Sequence, residues 1–369
     1  MRAAQGTDYG DVGAVMSVED GVKVPRLADI PNKKKRRDWM VIRTHAVAVA
    51  PGDCRVLSGI TRELQGPPSF PYVPCGDCSG VVAELPEGND DLPFEVGDRV
   101  AVRFVEGPRG ALGEYSLVST KVADKIPEGI TFDEAAALAS ASPATVLADS
   151  VRPGERVLVL GARGGVGSHL CQVVRDRGAS YVVGVTRSPK DVVAEPISCD
   201  EAVDYTREDV FSLERFQREP FDTVIDLAGY ADARLEEMAA KGGPLIVKTA
   251  ANGGRLLSLV PPIGPIFEIH SFWQVMLVFT FPILRKMFTT RTWRRWSLPA
   301  YTFAFSIPGT RDCVTRTLDL ARRGKLRAVV DPKGPFPFTT EGVRDAFRLQ
   351  KSRHVQGKAV IRVAADAGK

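Results

Sequence analysis

A chain of 369 residues is too long for one ordinary hydrophobic core and fits two domains of usual size. Its 49 basic and 45 acidic residues leave a net charge of +4, too balanced to indicate a nucleic-acid binder, and no nucleic-acid partner is expected. Six cysteines (Cys54, Cys75, Cys78, Cys171, Cys199 and Cys313) are scattered without the density of a disulfide framework, so they read as reduced thiols in a cytoplasmic compartment.

The first residues, Met1 to Gly13, lack the apolar core of a secretory signal and carry acidic side chains early, which argues against a transit peptide. From Met1 to about Asp149 the pattern is one of short strands and turns. Met40 to Val49 is rich in β-branched residues and is followed by an expected turn at Pro51-Gly52-Asp53. Gly80 to Leu85 and, after Val96-Gly97-Asp98, Arg99 to Val102 continue the marks of an antiparallel β domain. Lys33 to Arg37, KKKRR, is expected to be an exposed turn with solvated charges, in preference to a localisation signal or an anionic docking patch.

The stretch that organises the chain follows. Val157 to Leu160 reads as a buried strand that runs into Gly161-Ala162-Arg163-Gly164-Gly165-Val166-Gly167 and then into a helix with Val166, Leu170, Val173 and Val174 on one face. Glycines allow a tight turn and close approach of backbone to ligand, while the unpaired amides and positive end of the helix attract an anion. The unit is built to hold a phosphate. Further strands are expected at Tyr181 to Thr186, Thr223 to Leu227 and Arg255 to Leu259, alternating with helices as a parallel sheet requires. After Cys313 come a helix through Leu318, Leu320 and Ala321, another with Val343, Ala346 and Phe347 on one face, and a closing strand from Lys358 to Val363. That last strand is expected to pair with the first domain.

With these elements in place the chain resembles the medium-chain dehydrogenase/reductase superfamily, and within it the zinc-free, zeta-crystallin-like quinone oxidoreductases. Phe94 to Val100, Gly113-Glu114-Tyr115, Lys125 to Gly129, Glu134 to Leu138 and the Gly161 to Gly167 turn occur in the family's order, as do Asp204-Tyr205, Phe221 to Asp226 and Gly357 to Val360. The resemblance implies an α/β fold: a GroES-like antiparallel β domain, residues 1–149 completed by 320–369, and a Rossmann doubly wound parallel-sheet domain, residues 150–319, with the active site in the cleft between them. It also implies a homodimer.

An NAD site usually carries an acidic side chain about 20 residues past the glycine turn, to accept from the ribose 2′-hydroxyl. Here the second strand ends Thr186-Arg187-Ser188-Pro189-Lys190, with no carboxylate before Asp191. These donors suit a 2′-phosphate, so NADPH is the expected cofactor. Its binding residues are Gly161, Ala162, Gly164, Gly165, Val166 and Gly167 at the pyrophosphate, with Thr186, Arg187, Ser188 and Lys190 beyond the second strand and Tyr205 as a family-matched contact. No metal is expected. The positions of the zinc ligands in zinc-dependent relatives fall at Ala50, at Asp77 and near Ser140, and the segment of their four-cysteine lobe, between about Val102 and Gly113, holds no cysteine. Cys75 and Cys78 form a lone CxxC pair that reads as small buried thiols.

The expected reaction is metal-free hydride delivery from NADPH to a quinone or an α,β-unsaturated carbonyl, a small lipophilic substrate. The alternative is an NADPH-binding sensor or a membrane- or RNA-associated binding module with little turnover. In related reductases an Asn and an Asp flank the proline of the first-domain turn and tyrosines follow. Here Ala50 replaces the Asn, Asp53 matches, and Arg55 and Thr61 stand where tyrosines are common. Asp53, pinning the turn, and Arg55, polarising a carbonyl or lying solvated in a loop, are the catalytic candidates. Ala144 and Thr145 both lie within one residue of the family's nicotinamide-contacting threonine, and none of His45, His169, His270 and His354 matches a catalytic position. Finally, Phe272 to Leu284 is an apolar run of thirteen residues, shorter than the roughly 17 to 25 of a membrane span. With the arginines and tryptophans up to Trp296 it reads as a substrate lid, a dimer surface or a peripheral membrane contact through 272–296.

Overall fold

The computed structural model describes residues 1–30, 32–62, 66–67, 69–86, 92–103, 110–260, 272–304 and 311–364. The chain divides into two compact units, one made of residues 1–143 with 308–369 and the other of 144–307. Both divisions come earlier in the chain than the expected 149/150 and 319/320. His270 and most of the segment between Val102 and Gly113 lie outside the described residues.

The first unit opens with β1 (Ala3–Gly6) paired antiparallel to β2 (Met16–Glu19). The basic run, expected as a turn, instead forms a short helix, α1 (Lys33–Arg36). Asn32 accepts the Lys35 amide at 3.3 Å and so supplies the cap that makes a helical turn favourable. The central strand is β3 (Trp39–Val49), flanked by β4 (Asp77–Glu84) and β6 (Tyr115–Ser119), while β5 (Arg99–Val102) and β7 (Ala123–Lys125) extend the sheet beyond β4. Gly80 of β4 lies against β3 so closely that a Cβ there would stand 2.2 Å from the Arg43 carbonyl oxygen. Pro51-Gly52-Asp53 is not a turn but the start of α2 (Pro51–Leu57). Proline fits the first helical position because its missing amide proton would be unpaired there. Asp53 then accepts the Ala50 amide at 2.8 Å. Helix α3 (Phe132–Ala141) is closed at its N-terminus by a reciprocal Thr131–Glu134 capping box and buries all five of its alanines.

The second unit is a six-stranded parallel sheet in the order β10-β9-β8-β11-β12-β13: β8 (Arg156–Leu160), β9 (Tyr181–Thr186), β10 (Glu201–Asp204), β11 (Thr223–Asp226), β12 (Arg255–Ser258) and β13 (Ala300–Phe303). Counted within the unit this is 3-2-1-4-5-6, the doubly wound Rossmann order, with the reversal of direction between β8 and β11. Four successive residues of β8 are buried, as helices on both faces demand. The unit's helices include α4 (Gly167–Asp176), α5 (Pro189–Val193), α6 (Ala231–Ala240) and α7 (Phe281–Thr289).

The chain then returns to the first unit. α8 (Arg311–Arg322) belongs there because Arg311 and Thr315 both bond Asp124 of β7 and Cys313 bonds the Ser142 carbonyl. α9 (Thr340–Lys351) buries Val343, Ala346 and Phe347, the face read from the sequence. β14 (Phe336–Pro337) and β15 (Ala359–Arg362) complete the seven-stranded sheet, β15 pairing antiparallel with β3 from Ala359 opposite Val49 to Arg362 opposite Ala46.

Candidate cofactor site and buried cation

The turn between β8 and α4 has the geometry of an anion cradle. Gly161 has φ +85, a conformation L side chains rarely adopt, and its amide bonds the Val185 carbonyl of β9 at 3.1 Å. A Cβ on Gly167 would meet the Gly161 oxygen at 2.2 Å and the Ala162 Cα at 2.8 Å, so the crossing of turn and helix closes only around glycine. Gly164 is less demanding, with its closest neighbour at 3.4 Å. The first i→i−4 bond runs from the Ser168 amide to the Gly164 carbonyl at 2.9 Å, which leaves the amides of Gly165, Val166 and Gly167 at the positive end of α4. His169, fully buried, holds the loop from below through Nδ1, 3.0 Å from the Gly165 carbonyl oxygen. Its role is structural, although only its place one turn past the glycines hinted at it.

At the ends of the neighbouring strands the structure gathers the remaining cofactor candidates. β9 and β10 run parallel with Thr186 opposite Asp204, and the Tyr205 amide donates to the Thr186 carbonyl at 3.3 Å. Thr186 Oγ1 accepts the Ser188 amide at 3.2 Å. Arg187 and Lys190 are exposed, and Tyr205 is half exposed. Asp191, the one carboxylate at the start of α5, is bonded to Arg163 of the glycine turn, Nε to Oδ2 2.5 Å. On the other side of β8, Asp226 at the end of β11 is buried and accepts the amides of Ala228, Gly229 and Ala231 at 2.9, 2.7 and 2.8 Å. It fixes the loop after β11, a role sequence reasoning missed.

In the first unit Asp53 is buried and serves as the α2 cap described above, while Arg55 stands exposed on the same helix. Desolvation and then the charge of Arg353 draw the Arg55 pKa below its usual value. Thr61 Oγ1 is buried without a hydrogen-bond partner. A second residue that sequence reasoning passed over is Lys358, quoted only within a motif. Its Nζ donates to the carbonyl and hydroxyl oxygens of Ser140, each at 2.9 Å, at the C-terminal and negative end of α3. Burial pulls its pKa down to about 8, with Arg103 acting in the same direction and Asp77 and Asp53 opposing. No sequence signal separates such a lysine from an exposed one at a strand end.

This arrangement bears on metal. Ala50 offers no donor, and Ser140 is engaged by an ammonium that would repel a divalent cation, so these side chains do not fit a catalytic zinc. Among the described residues no group of three or more His, Cys, Asp or Glu side chains is arranged to hold a metal ion. None of the six cysteines is in a disulfide. Nor, among the described residues, is any helix long and apolar enough to cross a membrane.

Comparison with known proteins agrees with this two-part construction. Residues 36–131 match the family described as alcohol dehydrogenase GroES-like domain, and residues 197–361 that described as zinc-binding dehydrogenase. The chain is 28% identical over 369 residues, 98% of its length and 79% of the relative's, to the NADPH-dependent alkenal/one oxidoreductase of Arabidopsis thaliana chloroplasts. It is also 28% identical over 371 residues, with the same coverage, to the 2-methylene-furan-3-one reductase of Solanum lycopersicum. The crystal structure of Escherichia coli quinone oxidoreductase complexed with NADPH superposes with a TM-score of 0.69 at 20% identity, covering 98% of this chain and all of that one. The glycine cradle, the parallel sheet and these matches define an oxidoreductase with an NAD(P)-type cofactor site. The chain belongs to the medium-chain dehydrogenase/reductase superfamily, in its quinone oxidoreductase-like branch.

Proposed function

We propose that the protein is an NADPH-dependent, zinc-independent reductase acting on an α,β-unsaturated carbonyl or a quinone. The observation that carries this reading is the pairing of a turn that only glycine can close, at Gly161 and Gly167, with the basic cluster Arg187 and Lys190 beyond the next strand. The amides of Gly165, Val166 and Gly167 would hold the pyrophosphate. Arg187, Ser188, Lys190 and Tyr205 would hold the 2′-phosphate, while Arg163 occupies the carboxylate of Asp191 that would otherwise repel it. When bound, the nicotinamide supplies hydride; the chain's own work is to orient it, exclude water and stabilise negative charge on the substrate oxygen. Arg55 is the residue we assign to that oxygen, and Asp53 positions the α2 start from which Arg55 projects. The enone class is favoured because two relatives at 28% identity carry enal, enone or methylene-furanone names. A homodimer formed along the outer edge of β13, the last strand of its sheet, accompanies this reading.

The test is oxidation of NADPH and of NADH by the purified chain with a panel of enones and a panel of quinones, repeated with Arg187→Ala/Lys190→Ala. Two lost charge-assisted contacts predict a KM for NADPH raised about 100-fold, with NADH little changed. Equal use of both cofactors by the unaltered chain would overturn the NADPH assignment. Tight NADPH binding with turnover on neither panel would leave a cofactor-binding module in place of a reductase.

A further inference from the structure

The apolar run singled out in the sequence is helical from Phe272, through a π-helical segment (Val275–Thr280), to the end of α7 at Thr289. A run so apolar ordinarily turns its largest side chains inward. Here Ile283 is buried, yet Trp273, Leu277, Phe281, Leu284 and Phe288 are all exposed, Trp273 by 69%. Their spacing of four, four, three and four residues puts them on one side of the helix. The stripe continues past the helix, because the Phe288 ring meets the Trp293 ring edge-on at 5.6 Å, and Trp296, three residues on, is exposed by 73%. Three of the chain's four tryptophans, Trp273, Trp293 and Trp296, are thus exposed within this one segment.

The charge beside this surface has one sign. Between Glu268 and Asp312 the sequence has no acidic residue and six lysines and arginines, Arg285, Lys286, Arg291, Arg294, Arg295 and Arg311, the first five of them within this segment. Lys286 and Arg294 are bonded to Asp232 and Glu236 of α6. Arg291 is exposed and donates to the carbonyls of Met287 and Tyr301, at 2.8 and 2.6 Å. Arg285 is exposed, and Arg295 lies 5.2 Å over the Trp296 ring, which pairs a cation with an amphipathic aromatic at the patch rim.

We propose that this face, from Trp273 to Trp296, docks the protein on an anionic lipid surface, with the stripe seated at the headgroup–acyl boundary and Arg285, Arg291 and Arg295 at the lipid phosphates. Tryptophan is suited to that boundary because its ring has an apolar body and one polar N–H. A helix with Trp, Phe and Leu on one face and basic residues at its margin lies in the interface plane. An acidic protein partner would match the arginines but not an apolar stripe of this extent, and a second copy would bring the same positive charges face to face. The proposal is independent of the reductase reading, since none of these side chains belongs to the cofactor cradle.

The experiment is co-sedimentation of the full chain with phosphatidylcholine vesicles, with and without phosphatidylglycerol, together with tryptophan fluorescence and light scattering of the free protein. The expected result is partition to the phosphatidylglycerol vesicles only, with a blue shift of the emission. Each juxtamembrane cation contributes about five-fold to such partition. Arg285→Gln/Arg295→Gln should therefore weaken it about 25-fold, and Trp273→Gln/Phe281→Gln should abolish the blue shift, both with NADPH binding unchanged. No partition to either vesicle would overturn the proposal. So would light scattering showing a dimer that Trp273→Gln/Phe281→Gln converts to monomer, because the stripe is then covered by a second copy.

Discussion

Arg163, inside the glycine turn, and Asp191, in the first turn of α5, meet as an ion pair with Nε and Oδ2 2.5 Å apart. The only carboxylate in the segment from Tyr181 to Asp191 is thus turned to a guanidinium. Arg163→Gln should release it and bring a negative charge among Arg187, Ser188 and Lys190. We expect the preference for NADPH over NADH to fall by about ten-fold, the effect of roughly 1.4 kcal/mol of like-charge repulsion at a partly exposed site. Asp191→Asn in the same background should restore the preference. Dissociation constants for the two cofactors, read by quenching of protein fluorescence, check both.

Gly167→Ala and Gly164→Ala separate close packing from mere glycine content. At 2.2 Å from a backbone oxygen the new methyl group at Gly167 forces the turn and helix apart, at a cost of about 2 kcal/mol or more and with loss of cofactor binding. At Gly164 the neighbour is 3.4 Å away, and we expect binding to persist. Urea melts and NADPH titration of the two variants give the comparison.

Lys358 gives the chain a signed pH dependence. Its folded pKa of about 8 lies below the ordinary 10.5, so the folded chain releases this proton first. Between those values the unfolded chain holds more protons, and stability rises with pH; the cost of burying the ammonium, up to about 3 kcal/mol, is felt in full below about 8. The stability of the unaltered chain relative to Lys358→Met should therefore move in its favour by about 2 kcal/mol between about pH 7 and pH 10. A pH-independent difference in the urea melts would mean that Lys358 is not the titrating group.

Asp53 caps α2, and the cap needs an acceptor but no charge. Asp53→Ala should cost about 1 kcal/mol, while Asp53→Asn should keep both stability and turnover. Loss of kcat in Asp53→Asn, with its melting curve unchanged, would instead place the carboxylate in proton transfer.

Much of this was legible in the residues themselves. β8, the turn and α4 were readable because buried strand, glycine spacing and helical period agree over one continuous stretch. Pro51-Gly52-Asp53 misled because proline at the first position and an acceptor two residues later satisfy a turn and a helix start equally well; the decision comes from the Ala50 amide that Asp53 accepts. The KKKRR run was similarly decided by a neighbour, Asn32, lying outside it. β13 was not read at all, since four residues, Ala300 to Phe303, carry too little period to announce a strand; only pairing with β12 defines it. Asp226 and Lys358 escaped notice because their importance lies in what surrounds them, three amides in one case and Ser140 in the other, and one-dimensional spacing does not encode burial. The apolar run was seen at once, but its outward orientation depends on which face Ile283 anchors.

The position of β15 has a consequence for how the protein is made. It lies between β14 and β3, so the second half of β3, Ala46 to Val49, receives its partner on that side only when Ala359 to Arg362 have been synthesised, while β6 already covers Trp39 to Arg43. All six strands of the parallel sheet lie between Arg156 and Phe303, and that sheet has its full complement while the first unit still waits. Until Ala359 to Arg362 are made, the Ala46 to Val49 part of that edge lacks its strand partner, and an uncovered edge is the kind of template that recruits foreign strands. A ribosome stalled shortly before Ala359 would therefore release a chain with a finished nucleotide fold and an adhesive, open β sheet.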